Sequence, residues 1–232
     1  MSTDIDFRSC DRADYPACAS IGAAAFALDA GALERKLNGT TVKIYEAAVE
    51  ICDGTSTYSE LAVIDGEVAG FIFGRIERHF TLIDKCCLVK KYLPLLGRFL
   101  LGRYGSRQKL VRLLWPLLRE EQELRGKVPP GEGKIEYFAV SPKYQGQGIG
   151  RKLMDRFVQH AVRCGVQALS VFTSETVSFW FYERYGFQRW AEFDSPLGSY
   201  LHGKPIKGFS YRLPLQGNHG ANIQAADHMG RE

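Results

Sequence analysis

Ile5 and Phe7 alternate with Asp6 and Arg8, the period-two pattern of a short strand with one buried face. Asp11 or Asp14 follows where a helix start needs a side-chain acceptor, and apolar residues recur at helical spacing over 17–26. The same spacing predicts a second helix over 32–52, ended by the turn-forming residues Asp53, Gly54, Thr55 and Ser56. Two apolar runs, 61–64 and 68–76, flank Asp65-Gly66. An Asp-Gly pair suits the positive backbone angles of a two-residue hairpin, so these runs are expected as neighbouring antiparallel strands.

From residue 85 to 127 the pattern changes to helical segments rich in Leu and basic residues, broken near Pro94, 102–106 and Pro116 and closed by Val128-Pro129-Pro130-Gly131. It reads as a helical insertion between the third and fourth strands. An apolar strand over 135–140, a helix over 147–164 and a strand over 168–173 then form a β-α-β unit, whose right-handed crossover makes the two strands parallel. A helix over 176–185 and strands over 187–193 and 208–213 complete the pattern. The expected architecture is of the α/β (α+β) class: a mixed, mostly antiparallel sheet of about seven strands flanked by helices. One domain over 1–215 contains the insertion. Residues 216–232 are polar, rich in Gly and Asn, and expected to be a mobile tail.

Composition narrows the function classes. With 232 residues, 45% hydrophobic and 24% charged, the chain has what one soluble catalytic domain needs. The net charge of +4 is too small to indicate nucleic acid, but the insertion carries roughly +8 and leaves roughly −4 for the remainder. In the insertion Leu88, Tyr92, Leu95, Leu96, Phe99 and Leu100 lie among lysines and arginines. Such an amphipathic surface fits a lid over an acceptor pocket, favoured by its place between the third and fourth strands. Its alternatives are a homodimer contact, a peripheral contact with an anionic membrane or an acidic partner, or extra helices simply packed on the core. No apolar run approaches a bilayer span, and the acidic start lacks the features of a signal peptide, so a cytoplasmic location is expected. Six cysteines occur without a Cys-x-x-Cys pair or histidines at ligand spacing, so no metal is expected.

The chemistry is concentrated in the loop that joins the 135–140 strand to its helix. Here Gln145-Gly146-Gln147-Gly148-Ile149-Gly150-Arg151 places three glycines within five positions. Without Cβ atoms the backbone can turn tightly and aim several N–H groups at one point in front of a helix N-terminus, which suits a diphosphate. Arg151 and Lys152 add positive charge. A ligand-free glycine turn gives the same local pattern. A dinucleotide site would need a third glycine where Arg151 stands, and no Gly-Lys-Ser/Thr phosphate loop is present.

Phe138-Ala139-Val140-Ser141-Pro142 followed by Gln145-Gly146-Gln147-Gly148-Ile149-Gly150 resembles the acetyl-CoA motif of the GNAT N-acetyltransferase superfamily, Gln/Arg-x-x-Gly-x-Gly/Ala. Phe181-Tyr182-Glu183-Arg184-Tyr185-Gly186-Phe187 is similar to the family's second signature, a tyrosine four residues before a Gly-Phe pair. The resemblance covers 4–213 and departs from the pattern at Glu175, where asparagine is frequent. It implies that acetyl-CoA, as co-substrate, contacts Phe138, Ala139, Val140, Gln145, Gly146, Gln147, Gly148, Ile149, Gly150, Arg151 and Ser178. It also implies that the pantetheine arm pairs with the strand at Phe138 and Val140, where that strand splays from its parallel neighbour, commonly at a bulge. An amine attacks the thioester directly, and Tyr182 matches the acid that protonates the leaving sulfur. A core tyrosine in an aromatic cluster is the competing role for this residue. Glu136, two residues from Phe138 and so expected on the same strand face, is the candidate base; Glu132, Glu175 and a water chain are its rivals. The expected activity is acetyl transfer to a primary amine, against the alternative of an acyl-CoA-sensing module without turnover.

Overall fold

Seven strands form one mixed sheet in the computed structural model, which describes residues 5–76, 97–104, 106–124, 127 and 133–215. Strands β1 (Asp6–Arg8), β2 (Tyr58–Ile64), β3 (Glu67–Ile76) and β4 (Gly133–Val140) pair antiparallel in chain order. Beyond β4 come β5 (Ala168–Ser174), β7 (Lys207–Pro214) and β6 (Gln188–Asp194), with β4 and β5 parallel and the other two pairs antiparallel. The helices are α1 (Tyr15–Ala25), α2 (Ala27–Leu37), α3 (Thr41–Thr55), α4 (Arg107–Leu124), α5 (Ile149–Arg163), α6 (Trp180–Tyr185) and α7 (Pro196–His202). The expected mixed, mostly antiparallel sheet with flanking helices is thus present. Its Asp65-Gly66 hairpin turns with φ of 51° and 80°, the left-handed pair that this dipeptide favours.

Four local expectations change. The helix expected over 32–52 is two helices, because Asn38 and Gly39 adopt φ of 55° and 83° and end α2 before α3 begins. Pro116 lies inside α4 without ending it; its ring is buried, which offsets the lost N–H bond. The helix expected over 176–185 is confined to α6, because Glu175 is tied to β7 instead. Its N–H donates to the Lys207 carbonyl at 3.0 Å, and its carboxylate accepts the Lys207 N–H at 3.2 Å. Helix α7, absent from the expected pattern, starts at Ser195, whose Oγ accepts the Gly198 N–H at 2.9 Å ahead of a proline in the first turn. The expected tail over 216–232, Glu132, and Leu88, Tyr92, Leu95 and Leu96 of the insertion lie outside the described residues.

The sheet is covered on both faces. On one, α5 buries Ile149, Leu153, Met154, Phe157, Val158 and Ala161, spaced three and four apart, against Ile72, Ile76, Ile135 and Leu169. Arg156 of α5 is anchored to the buried Glu60 of β2 by Nη2 to Oε1 at 2.7 Å and Nε to Oε2 at 2.8 Å, which fixes how the helix lies. On the other face Tyr15, Cys18, Ile21 and Val49 of α1 and α3 meet Leu61, Phe71 and Phe73. A third cluster joins α4 to α2 and α7 through Leu33, Leu37, Leu110, Leu113 and Leu201. The outer side of α4 leaves Val111, Leu114, Trp115 and Leu118 exposed, at i, i+3, i+4 and i+7.

Gly74 shows how closely α5 sits on the sheet: a Cβ there would stand 2.2 Å from the fully buried Phe157 ring. Gly74→Ala is expected to destabilise the fold by about 1–3 kcal/mol through overpacking, read as a lower midpoint in urea unfolding with an unchanged slope.

Candidate active site

Pairing between β4 and β5 covers Gly133, Lys134 and Ile135 opposite Leu169, Ser170 and Val171, and then stops. At that point the register of β4 on β3 slips: Phe73 lies opposite Tyr137 and Gly74 opposite Ile135, so Glu136 is an extra residue. The splay and bulge expected for this strand are both present. Beyond the bulge the Ser141 N–H donates to the Ala69 carbonyl on the β3 side at 2.9 Å. Antiparallel alternation then turns the N–H groups of Phe138 and Val140 away from β3, into the gap that β5 has left.

The bulge also reverses which side chains face which helix layer. Ile135 packs with α5, as do Phe138 and Val140, whereas Tyr137 and Ala139 pack with α1 and α3. Glu136 stays on the face of its ion-pair partners, Arg75 at 3.0 Å and Lys134 at 3.1 Å. It therefore does not share the face of Phe138, as strict alternation suggested: the inserted residue breaks the period of two. It reaches the gap from the α1 and α3 side.

One mouth of the gap is a groove in front of α5. Gly146 and Gly148 adopt φ of 80° and 77°, and no side chain caps the helix at Gly148. The first N–H groups of α5 have no intrahelical acceptors, so they face the groove as open donors. A Cβ at Gly150 would lie 3.2 Å from the Phe138 ring and 3.3 Å from the Phe181 ring, so the missing side chain keeps this helix close to β4. Arg151 and Arg184 stand at the rim, Arg184 over the Trp180 ring at 4.6 Å. This cradle fits a diphosphate in both shape and charge.

The other mouth is a cavity of about 300 Å³ bounded by Glu136 and Phe138 of β4, Thr173 of β5, Tyr45 of α3 and Leu197 of α7. Helix α4 contributes Glu120. Its carboxylate accepts the Ser195 hydroxyl at 2.9 Å and the Leu197 N–H at 3.1 Å, and burial pushes its pKa up. Phe26, Phe138, Val177 and Tyr182 line both this cavity and the groove, so the two meet there.

Tyr182 owes its place to the short helix α6 and to Gly186. With φ of 114°, Gly186 lets the chain reverse so that its own N–H (3.1 Å) and that of Phe187 (2.9 Å) both bond to the Tyr182 carbonyl. Phe187 then packs its buried ring 5.6 Å from that of Tyr182. The Tyr-x-x-x-Gly-Phe spacing is therefore a helix cap that fixes the tyrosine. Burial alone pushes the Tyr182 phenol up from its ordinary value, so it stays protonated at neutral pH.

The family model for the Acetyltransferase (GNAT) family matches residues 35–187, more than half of the chain and the stretch that holds the Gly146–Gly150 turn and Tyr182. The chain belongs to the GNAT acetyltransferase family. It is 41% identical over 64 residues to the N-alpha-acetyltransferase RimI of Mycobacterium tuberculosis, and 32% identical over 63 residues to a spermine/spermidine N(1)-acetyltransferase of Bacillus subtilis. These matches span 28% and 26% of this chain, and 40% and 41% of those relatives. In fold it is similar to PH1933 from Pyrococcus horikoshii, with a TM-score of 0.54 at 15% identity over 90% of this chain and 99% of that one.

Of the residues that the GNAT resemblance assigns to the cofactor, Phe138, Ala139, Val140, Gln145, Gly146, Gly148, Ile149, Gly150, Arg151 and Ser178 line the groove. Gln147 does not line it and is exposed. Tyr182 and Glu136 both line the cavity of about 300 Å³, while Glu175 lies outside both openings, bonded to Lys207. Sequence reasoning missed Arg184, although it stands within the tyrosine signature, and Glu120, for which no local signal exists.

Because a Cβ at Gly148 would meet nothing within 4 Å, Gly148→Ala alters backbone preference without crowding the groove. A left-handed alanine costs about 1–2 kcal/mol, so CoA affinity in titration calorimetry is expected to fall by about tenfold with secondary structure unchanged.

Proposed function

We propose that this GNAT protein transfers the acetyl group of acetyl-CoA to a primary amine by direct attack within a ternary complex, with Tyr182 as general acid. The observation that carries this reading is the meeting of two openings at Phe138 and Tyr182, one suited to a diphosphate ester and one lined with carboxylates. The diphosphate would sit on the N–H groups of the Gly146–Gly150 turn. The pantetheine arm would add to the open edge of β4 through Phe138 and Val140, as an extra strand does.

Glu136, directly or through water, first takes one proton from the substrate ammonium so that a neutral amine attacks. The amine nitrogen attacks the thioester carbon, and charge develops on the carbonyl oxygen, where an N–H of the open β4 edge is available as a donor. Collapse breaks the carbon–sulfur bond. The phenolic proton of Tyr182 goes to the departing thiolate, and the nitrogen loses its second proton to solvent as the amide forms. Arg75 and Lys134 hold Glu136 in place on the cavity wall. The tyrosinate is then reprotonated from solvent, so one proton is released overall.

A thiol-release assay with acetyl-CoA and a broad panel of primary amines tests the reading. CoA release that requires an amine is the expected result; tight CoA binding without turnover on any amine would favour a sensing module. Tyr182→Phe is expected to lower kcat by about 10²–10³-fold, the range for loss of a positioned proton donor, with CoA affinity nearly unchanged. An unaltered kcat would remove Tyr182 from its role.

A further inference from the structure

Building on the transferase reading, we infer that the acceptor carries a second positive charge remote from its reacting nitrogen, and that Glu120 of the α4 insertion binds this charge. The reacting nitrogen must approach the thioester where the two openings meet, beside Phe138 and Tyr182. Glu120 lines the acceptor cavity and not the cofactor groove, so it belongs to the wall that receives the rest of the molecule.

Three carboxylates line this cavity, and two are already compensated. Glu136 is paired with Arg75 and Lys134, and Asp29 with His202 at 2.7 Å. Among the described residues no lysine, arginine or histidine forms an ion pair with Glu120. Its donors are neutral: the Ser195 hydroxyl at 3.0 and 2.9 Å and the Leu197 N–H at 3.1 Å. A carboxylate has about four lone-pair positions, so room remains for a further donor. A partly buried carboxylate held by neutral donors alone is under-compensated, and an ammonium would supply the missing charge. The upward displacement of its pKa by burial agrees in sign. Tyr45, Phe193, Leu197 and Leu201 supply apolar wall for a methylene chain between the two nitrogens. A cavity of about 300 Å³ accommodates a compact aliphatic diamine.

Glu120 also holds the start of α7 through Ser195 and Leu197, so a test must separate charge from scaffolding. The wild-type protein is assayed for CoA release with 1,4-diaminobutane and with 1-aminopentane, a probe of the same length in which methyl replaces the second ammonium. Wild type is expected to favour the diamine by about tenfold or more in kcat/KM. Glu120→Gln keeps an acceptor for Ser195 and Leu197 and removes the charge. It is expected to raise KM for the diamine by about tenfold while leaving 1-aminopentane within about twofold and CoA affinity unaltered. Equal wild-type efficiency with the two amines, or an equal loss on both in the variant, would overturn the inference and leave the transferase reading intact. If circular dichroism shows that the variant does not fold, the wild-type comparison decides. No CoA release with any amine, while CoA still binds, would overturn the transferase reading and this inference with it.

Discussion

Two strands that begin as hydrogen-bonded neighbours and then part leave main-chain donors and acceptors without partners, and an interior tolerates this only if something else takes them up. Here β4 and β5 part after Ile135 and Val171. The register of β4 on β3 shifts at the extra residue Glu136, the point where pairing with β5 ends. The open edge at Phe138 and Val140, the cavity on one side and the groove on the other lie along the gap that begins there. Rigidity comes from the layers above and below, where Phe71, Phe73 and Phe157 are fully buried and leave little slack for closure.

Around this opening the chain uses backbone devices more than side chains. Gly146 and Gly148 take left-handed angles that free the start of α5, and Gly150 lets that helix approach Phe138. The Glu60–Arg156 pair sets the lie of α5, and therefore the direction in which its open N–H groups point. Tyr182 rides on a helix of six residues, too short to persist alone, which the Gly186 cap and the Phe187 ring hold in place. Each device fixes an atom through local conformation, which is why the corresponding residues recur at fixed spacing in the chain.

That distinction accounts for what the amino-acid sequence disclosed. The Asp65-Gly66 hairpin and the glycine turn before α5 each depend on residues within a few positions of one another and could be read directly. The Tyr182-to-Phe187 spacing was legible only as a family signature, its role as a cap coming from the left-handed Gly186. The break at Asn38-Gly39 was also written locally but was masked by apolar spacing that continues across it. The facing of Glu136 was not legible, because a bulge is defined by the partner strand and not by the strand that carries it. Glu120 was hidden for a related reason: it lies 75 residues from Ser195 along the chain, and only the packing of α4 against α7 brings the two together.

The two halves of the site come from different kinds of chain segment. The groove is built from a strand edge and helix starts that the sheet itself supports, whereas part of the cavity wall is supplied by α4, a helix spliced between two adjacent strands. The packing partners of α4 are α2 and α7, through Leu33, Leu37 and Leu201, so it stands apart from the turn at Gly146–Gly150. On the transferase reading proposed above, the wall that receives the acceptor and the groove that receives the donor therefore rest on different segments of the chain.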